Sequence, residues 1–121
     1  MSYYRKRVKA FGYALSGIRA FLKEPHARIH LLASIVVVSM AWWLQVGLLK
    51  WCILLCCIAL VFLAEMLNSA IESLTDRIST EFHPLAGKAK DMAAGAVLLV
   101  AMFVAIIGLL IFIPELIRFL P

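Results

Sequence analysis

Three carboxylates and one carboxamide recur at spacings that a single helix would align: Glu65, Asn68, Glu72 and Asp76. At ~100° per residue they fall within an arc of roughly 80°. Met66, Leu67, Ala70, Ile71 and Leu74 take the other side of the same helix. The stretch continues, without a Gly or Pro, from the apolar run 51–63, so the stripe lies at the end of a membrane-length segment. An acid in a spanning helix costs about 3 kcal/mol on insertion scales, so it normally faces protein, water or an ion. Such a stripe is either a packing face near the membrane surface or a site for a cation, a proton or a phosphate-bearing metal ion.

Composition supports the membrane setting. The chain has 121 residues, of which 64% are hydrophobic, and a net charge of +5. With a mean hydropathy of +0.99 this is one integral membrane domain, 1–121, and not a soluble one. Cys52, Cys56 and Cys57 lie in an apolar run and read as small buried hydrophobes, since no Cys-His spacing accompanies them. No signal peptide is expected, because no apolar stretch with a cleavage site follows the basic N-terminus. The basic residues flank apolar segments, so lipid and membrane orientation explain the charge and no nucleic-acid partner is expected.

Four elements must position the stripe, in an all-α fold. Residues 4–23 carry Val8, Phe11, Leu15, Ile18 and Leu22 at spacings of three and four, with Arg5, Lys6, Lys9, Arg19 and Lys23 around them. This is an amphipathic helix lying in the membrane surface. Gly12 and Gly17 weaken it and suggest close packing. Pro25 starts the next helix at its first turn. Spans are expected at about 29–49, 51–76 and 91–113, the last ended by Pro114, with Trp42 and Trp43 as interface anchors. Gln45 to Lys50 supplies a turn, and a polar connection from Arg77 to Lys90 is broken by Pro84 and Gly87. Ala94, Ala101, Ala105 and Gly108 form a small-residue side of the third span, of the kind that lets membrane helices approach.

Seven Lys and Arg residues precede the first span, one lies in the first loop, three in the second and one in the tail. The positive-inside rule puts the N-terminus and the second loop in the cytoplasm. Glu24, Glu72, Asp76, Lys90 and Asp91 then converge on that face, with Glu65 about 10 Å deeper than Glu72. One protomer can barely enclose a polar site, so an oligomer is expected. His26 and His30, four apart, are too few to make a zinc site.

Two acids at the surface with a Lys-Asp pair nearby suit a magnesium ion carrying phosphates. A deeper carboxylate held away from water suits a general base for an alcohol. No Walker-type loop and no G-x-G-x-x-G is present. The residues leave phosphoryl transfer and ion or proton transport both open, with a non-enzymatic assembly subunit as a third reading.

The run Glu65-x-x-Asn68-Ser69-Ala70-Ile71-Glu72-x-x-x-Asp76, then His83, then Ala89-Lys90-Asp91-Met92, resembles the signature of the bacterial integral-membrane diacylglycerol kinase and undecaprenol kinase family. Gly12-Tyr13, Gly17-Ile18-Arg19, Glu24 and Arg28-Ile29-His30 match in kind and order, so the resemblance covers nearly the whole chain. It implies a homotrimer of three-span subunits, each with an N-terminal surface helix, and active sites shared between neighbours at the cytoplasmic side of the bacterial inner membrane. It implies ATP and a membrane lipid as substrates and Mg2+ as cofactor. By resemblance Glu65 is the base and Asn68 positions reacting groups. Glu24 and Glu72 hold the metal and the nucleotide phosphates. Asp76, Lys90 and Asp91 contact the nucleotide, with Tyr13 and Gly87 close by, and His83 shapes the loop beside it. Lys6, Glu65 and Ala94 are the lipid contacts.

The lipid is split between two branches. Asp76-Arg77-Ile78-Ser79 and Glu81-Phe82-His83 resemble the diacylglycerol branch. Met92-Ala93-Ala94-Gly95-Ala96 and Arg28-Ile29-His30 resemble the undecaprenol branch, and Ala94 stands where the diacylglycerol branch commonly has Ser. Diacylglycerol is the expected acceptor and undecaprenol the alternative.

Overall fold

The computed structural model describes residues 2–78 and 84–121, and among these there are four helices and no strand. Ser79, Glu81, Phe82 and His83, on which part of the resemblance rests, lie outside the described residues. Helix α1 runs Tyr3–Leu22, capped by Ser2, whose hydroxyl accepts the Arg5 N–H at 3.3 Å. Its apolar stripe of Val8, Phe11, Leu15, Ile18 and Leu22 stays exposed, as an interfacial helix requires. Phe21 is the exception. It is buried, and its ring meets Phe62 edge-on at 6.2 Å, which ties α1 to the bundle. Neither Gly12 nor Gly17 has a neighbour within 4 Å of where a Cβ would stand, so neither marks a close approach within this chain.

Helices α2 (Pro25–Trp43), α3 (Leu48–Ile78) and α4 (Pro84–Arg118) are each long and apolar enough to cross a membrane. Pro25 occupies the first turn of α2 and Glu24 its N-cap, as the punctuation there suggested. The α2–α3 turn is shorter than Gln45 to Lys50, because α3 already starts at Leu48. Gln45 adopts φ 53°, and the Val46 N–H closes back on the Ala41 carbonyl at 3.2 Å. A left-handed residue directly after a helix ends it within one step.

Two breakers do not break. Gly87 lies inside the first turns of α4, because Pro84 presets the helical φ and one Gly costs only about 1 kcal/mol. Pro114 also lies inside α4, which runs on to Arg118. A membrane helix tolerates a proline where its neighbours re-satisfy the local structure. Here the turn beyond it is held from outside. Lys50 donates to Glu115 at 2.6 Å, and Arg118 lies 2.8 Å from the other Glu115 oxygen and donates to the Leu44 carbonyl at 3.0 Å.

The buried core gathers at this same end. Ala41, Leu44, Val46, Leu54 and Ile111 form one cluster, with Leu44 fully buried and Trp51 and Phe112 packed against it. Farther along lie Ala101, Ala105 and Gly108 of α4, on the helix that packs most extensively against α3. They line an apolar cavity of about 260 Å³ shared with α2 and α3. The bundle is therefore tight at the α2–α3 turn and opens toward the other end.

Candidate functional site

At the open end lies a cleft of about 470 Å³, lined by Glu24, His26, Glu65, Asn68, Ser69, Glu72, Ser73, Asp76 and Ala94 among others. Helix α3 supplies the acidic wall, because its 31 residues run unbroken and keep positions 65, 68, 72 and 76 on one side. The N-cap of α2 brings Glu24 across from it. There the Ser69 hydroxyl donates to Glu24 Oε2 at 2.7 Å. The carboxylate also sits at the N-cap of α2, the positive end of that helix's dipole.

Burial is graded along the wall. Glu65 is buried at 8% exposure, Asn68 and Ser69 are half-buried, and Glu72 and Asp76 are exposed. Axial distance agrees with this order. Counted from Lys50 at about 1.5 Å per residue, Glu65 lies about 22 Å along α3, Glu72 about 33 Å and Asp76 about 39 Å. A hydrocarbon layer about 30 Å thick beginning at Lys50 would end between Glu65 and Glu72. One wall thus reaches from lipid depth to water.

Pairing is sparse. Among the described residues, the four carboxylates of the cleft have one ion pair, Lys90 Nζ to Asp76 Oδ1 at 2.8 Å, and one imidazole contact, His30 Nε2 to Glu65 Oε1 at 2.7 Å. The excess negative charge needs a cation before a polyphosphate can approach. No group of three or more His, Cys, Asp or Glu able to hold a metal occurs among the described residues. Two carboxylates, Glu24 and Glu72, lining one cleft do suit magnesium, which usually takes one or two carboxylates and completes its shell with phosphate and water.

Of the residues singled out in the sequence, Glu24, Glu65, Asn68, Glu72, Asp76 and Ala94 come together on this cleft, and Lys90 joins through Asp76. Tyr13, at 74% exposure, and Lys6 stand out on α1, while Gly87 and Asp91 of α4 do not line it. His30 and Ser69 contact the key acids and went unassigned. His26 and His30 do not act as a pair, for His26 faces the cleft and His30 turns to Glu65. A histidine in the second turn of α2, where the helix turns apolar, was the available signal for His30.

Four helices with three membrane-length segments, and a carboxylate wall graded from buried to exposed, define a multi-pass membrane protein with a polar site at one end. The family model for prokaryotic diacylglycerol kinase matches residues 12–112. A diacylglycerol kinase of Escherichia coli (strain K12) is 43% identical over 83% of this chain and 82% of its own length. An undecaprenol kinase of Bacillus subtilis (strain 168) is 39% identical over 89% of each. A diacylglycerol kinase of Helicobacter pylori is 35% identical over 83% of this chain and 79% of its own. The chain belongs to the prokaryotic diacylglycerol kinase family and is a lipid kinase of the bacterial membrane. The match is to kinases, and nothing in it supports ion transport.

Proposed function

We propose that the cleft transfers the γ-phosphate of ATP to the hydroxyl of a membrane lipid, diacylglycerol being the acceptor and phosphatidic acid the product. The observation that carries this reading is the shared wall. An acid at lipid depth, Glu65, and acids at the aqueous end, Glu72 and Asp76, line one cleft. A water-soluble donor and an oily acceptor need such a meeting place.

In the proposed step Glu65 takes the hydroxyl proton. The alcohol oxygen then bonds to the γ-phosphorus as the bond to the β–γ bridging oxygen breaks and ADP leaves. Asn68, about one turn from Glu65 and from Glu72, positions the reacting oxygens. Glu24 and Glu72 hold Mg2+, which when bound neutralises phosphate charge. Catalysis rests on positioning and charge neutralisation in an in-line transfer. Asp76, with Lys90 paired to it, receives the nucleotide.

Tyr13, Gly87 and Asp91 as nucleotide contacts, and Lys6 with Ala94 and Glu65 as lipid contacts, complete the site in an assembly, a homotrimer with shared sites. One feature supports an assembly: Tyr13, Lys6, Gly87 and Asp91 stand apart from the cleft of one chain, whereas Glu65 and Ala94 line it. The lysine and arginine distribution supports a cytoplasmic N-terminus and cleft.

A second reading takes undecaprenol as acceptor. Ala94 on the cleft wall favours it, because that position offers no hydroxyl to a glycerol headgroup. The test is one panel: purified protein, labelled ATP, magnesium, and either diacylglycerol or undecaprenol in mixed micelles. Phosphatidic acid as main product supports the first reading, and undecaprenyl phosphate the second. Transfer to neither overturns both.

A further inference from the structure

One of the two shortest polar contacts at the cleft is one the phosphoryl-transfer reading does not use. His30 reaches from α2 to α3, its Nε2 lying 2.7 Å from Glu65 Oε1. A base must start ionised, and an ionised carboxylate has only lone pairs; with Glu65 in that role the imidazole is the donor. The ring has apolar surroundings on its other side, for His30 also lines the 260 Å³ cavity with Ala33, Val37, Ile58, Val61 and Ala105. The backbone under it is fixed too, since Ser34 Oγ donates to the His30 carbonyl at 2.8 Å. The imidazole is thus a wall between a polar cleft and an apolar cavity, and it holds one of the two oxygens of the buried acid.

We infer that His30 is the positioning residue for Glu65: by donating from Nε2 to Oε1 it fixes the carboxylate rotamer and leaves Oε2 as the oxygen that meets the lipid hydroxyl. A carboxyl group left to rotate about its last torsion has broad freedom, because terminal sp³–sp² torsions are soft. A general base must lie within hydrogen-bond reach of the proton it takes, and misplacement by about 1 Å can cost about 100-fold in rate. Bonding one oxygen to a rigid ring on a neighbouring helix removes that freedom. The inference rests on the reading of Glu65 as the base.

Three variants test it. His30→Phe keeps a ring but has no donor. His30→Gln keeps an N–H on a side chain of similar reach, and Glu65→Gln removes the base. Turnover is measured against lipid and against ATP, with folding followed by thermal unfolding of the purified protein in detergent. The expected result is that His30→Phe lowers kcat about 100-fold with KM for ATP unchanged, while His30→Gln recovers to within about tenfold of the parent. A merely structural role would track the unfolding midpoint and would not split kcat from KM. Parental turnover in His30→Phe, or equal loss in both His30 variants when both are folded, overturns the inference. If His30→Phe does not fold, His30→Leu takes its place as the donor-free variant. If neither donor-free variant folds, the contact is structural and the inference fails. Normal turnover in Glu65→Gln would instead sink the reading of Glu65 as base, whatever the His30 variants do.

Discussion

Glu65 and Glu115 are buried to nearly the same degree, at 8% and 7% exposure, and sit toward opposite ends of the bundle. Their company differs. Glu115 has Lys50 at 2.6 Å and Arg118 at 2.8 Å, and Arg118 also takes up the last carbonyl beyond α2. Glu65 has one imidazole and, along its own helix, two further acids on the same wall. A buried acid with two permanent cations has its charge answered and serves as a fastening. A buried acid whose partner is neutral until protonated keeps its charge for something that arrives later. The packing repeats the contrast, with the core gathered around Leu44 near Glu115 and a cleft open beside Glu65.

Four substitutions would break or sharpen that contrast. The largest effect is expected from Glu65→Gln, which should lower phosphoryl transfer about 1,000-fold, within the range of a lost general base, while nucleotide binding and the unfolding midpoint are kept. Transfer near the parental rate in a magnesium-saturated assay would make the two buried acids equivalent. Glu72→Gln comes next. It should raise the magnesium concentration needed for half-maximal turnover about tenfold or more, with much of kcat returning at high magnesium. An unchanged magnesium titration removes Glu72 from the metal.

Glu115→Gln should do the reverse of Glu65→Gln. It should lower the unfolding midpoint by a few degrees and leave kcat in the folded fraction within about twofold, because the fastening loses its charge while the cleft does not. A large loss of kcat at unchanged stability would contradict the division of the molecule into a fastened end and a working end. The smallest effect is expected from Ala94→Ser. Adding one hydroxyl to the cleft wall should shift the ratio of diacylglycerol to undecaprenol turnover about threefold toward diacylglycerol, the scale of one weak hydrogen bond. A ratio that does not move would take Ala94 out of lipid choice.

Much of this was legible in the chain. The acidic wall follows from spacing alone, since residues 65, 68, 72 and 76 must share a side of any unbroken helix. The three long apolar segments and the amphipathic first helix follow from hydropathy and period, and Pro25 marked a helix start. What pairs across helices was not legible. His30 meets Glu65 from 35 positions away and Lys50 meets Glu115 from 65, and both depend on how each helix is rotated about its axis. In apolar helices that rotation is poorly encoded, because one greasy face resembles the next. Pro114 misleads for the same reason: the local rule says stop, and contacts from two other helices carry the turn past it. The residues of α1 tell little about the site from one chain, since Phe21 is the one buried residue of that helix among the described residues.

The unbroken length of α3 has a consequence for the host membrane. About 46 Å of helix cannot hide in an apolar layer about 30 Å deep, so the surplus must project or be taken up by tilt. A thicker bilayer would draw Glu72 toward the acyl chains, and a thinner one would lift Glu65 toward the headgroups. Turnover in vesicles of graded chain length should therefore pass through an optimum, where the border of oil and water falls on the two turns of helix separating those acids.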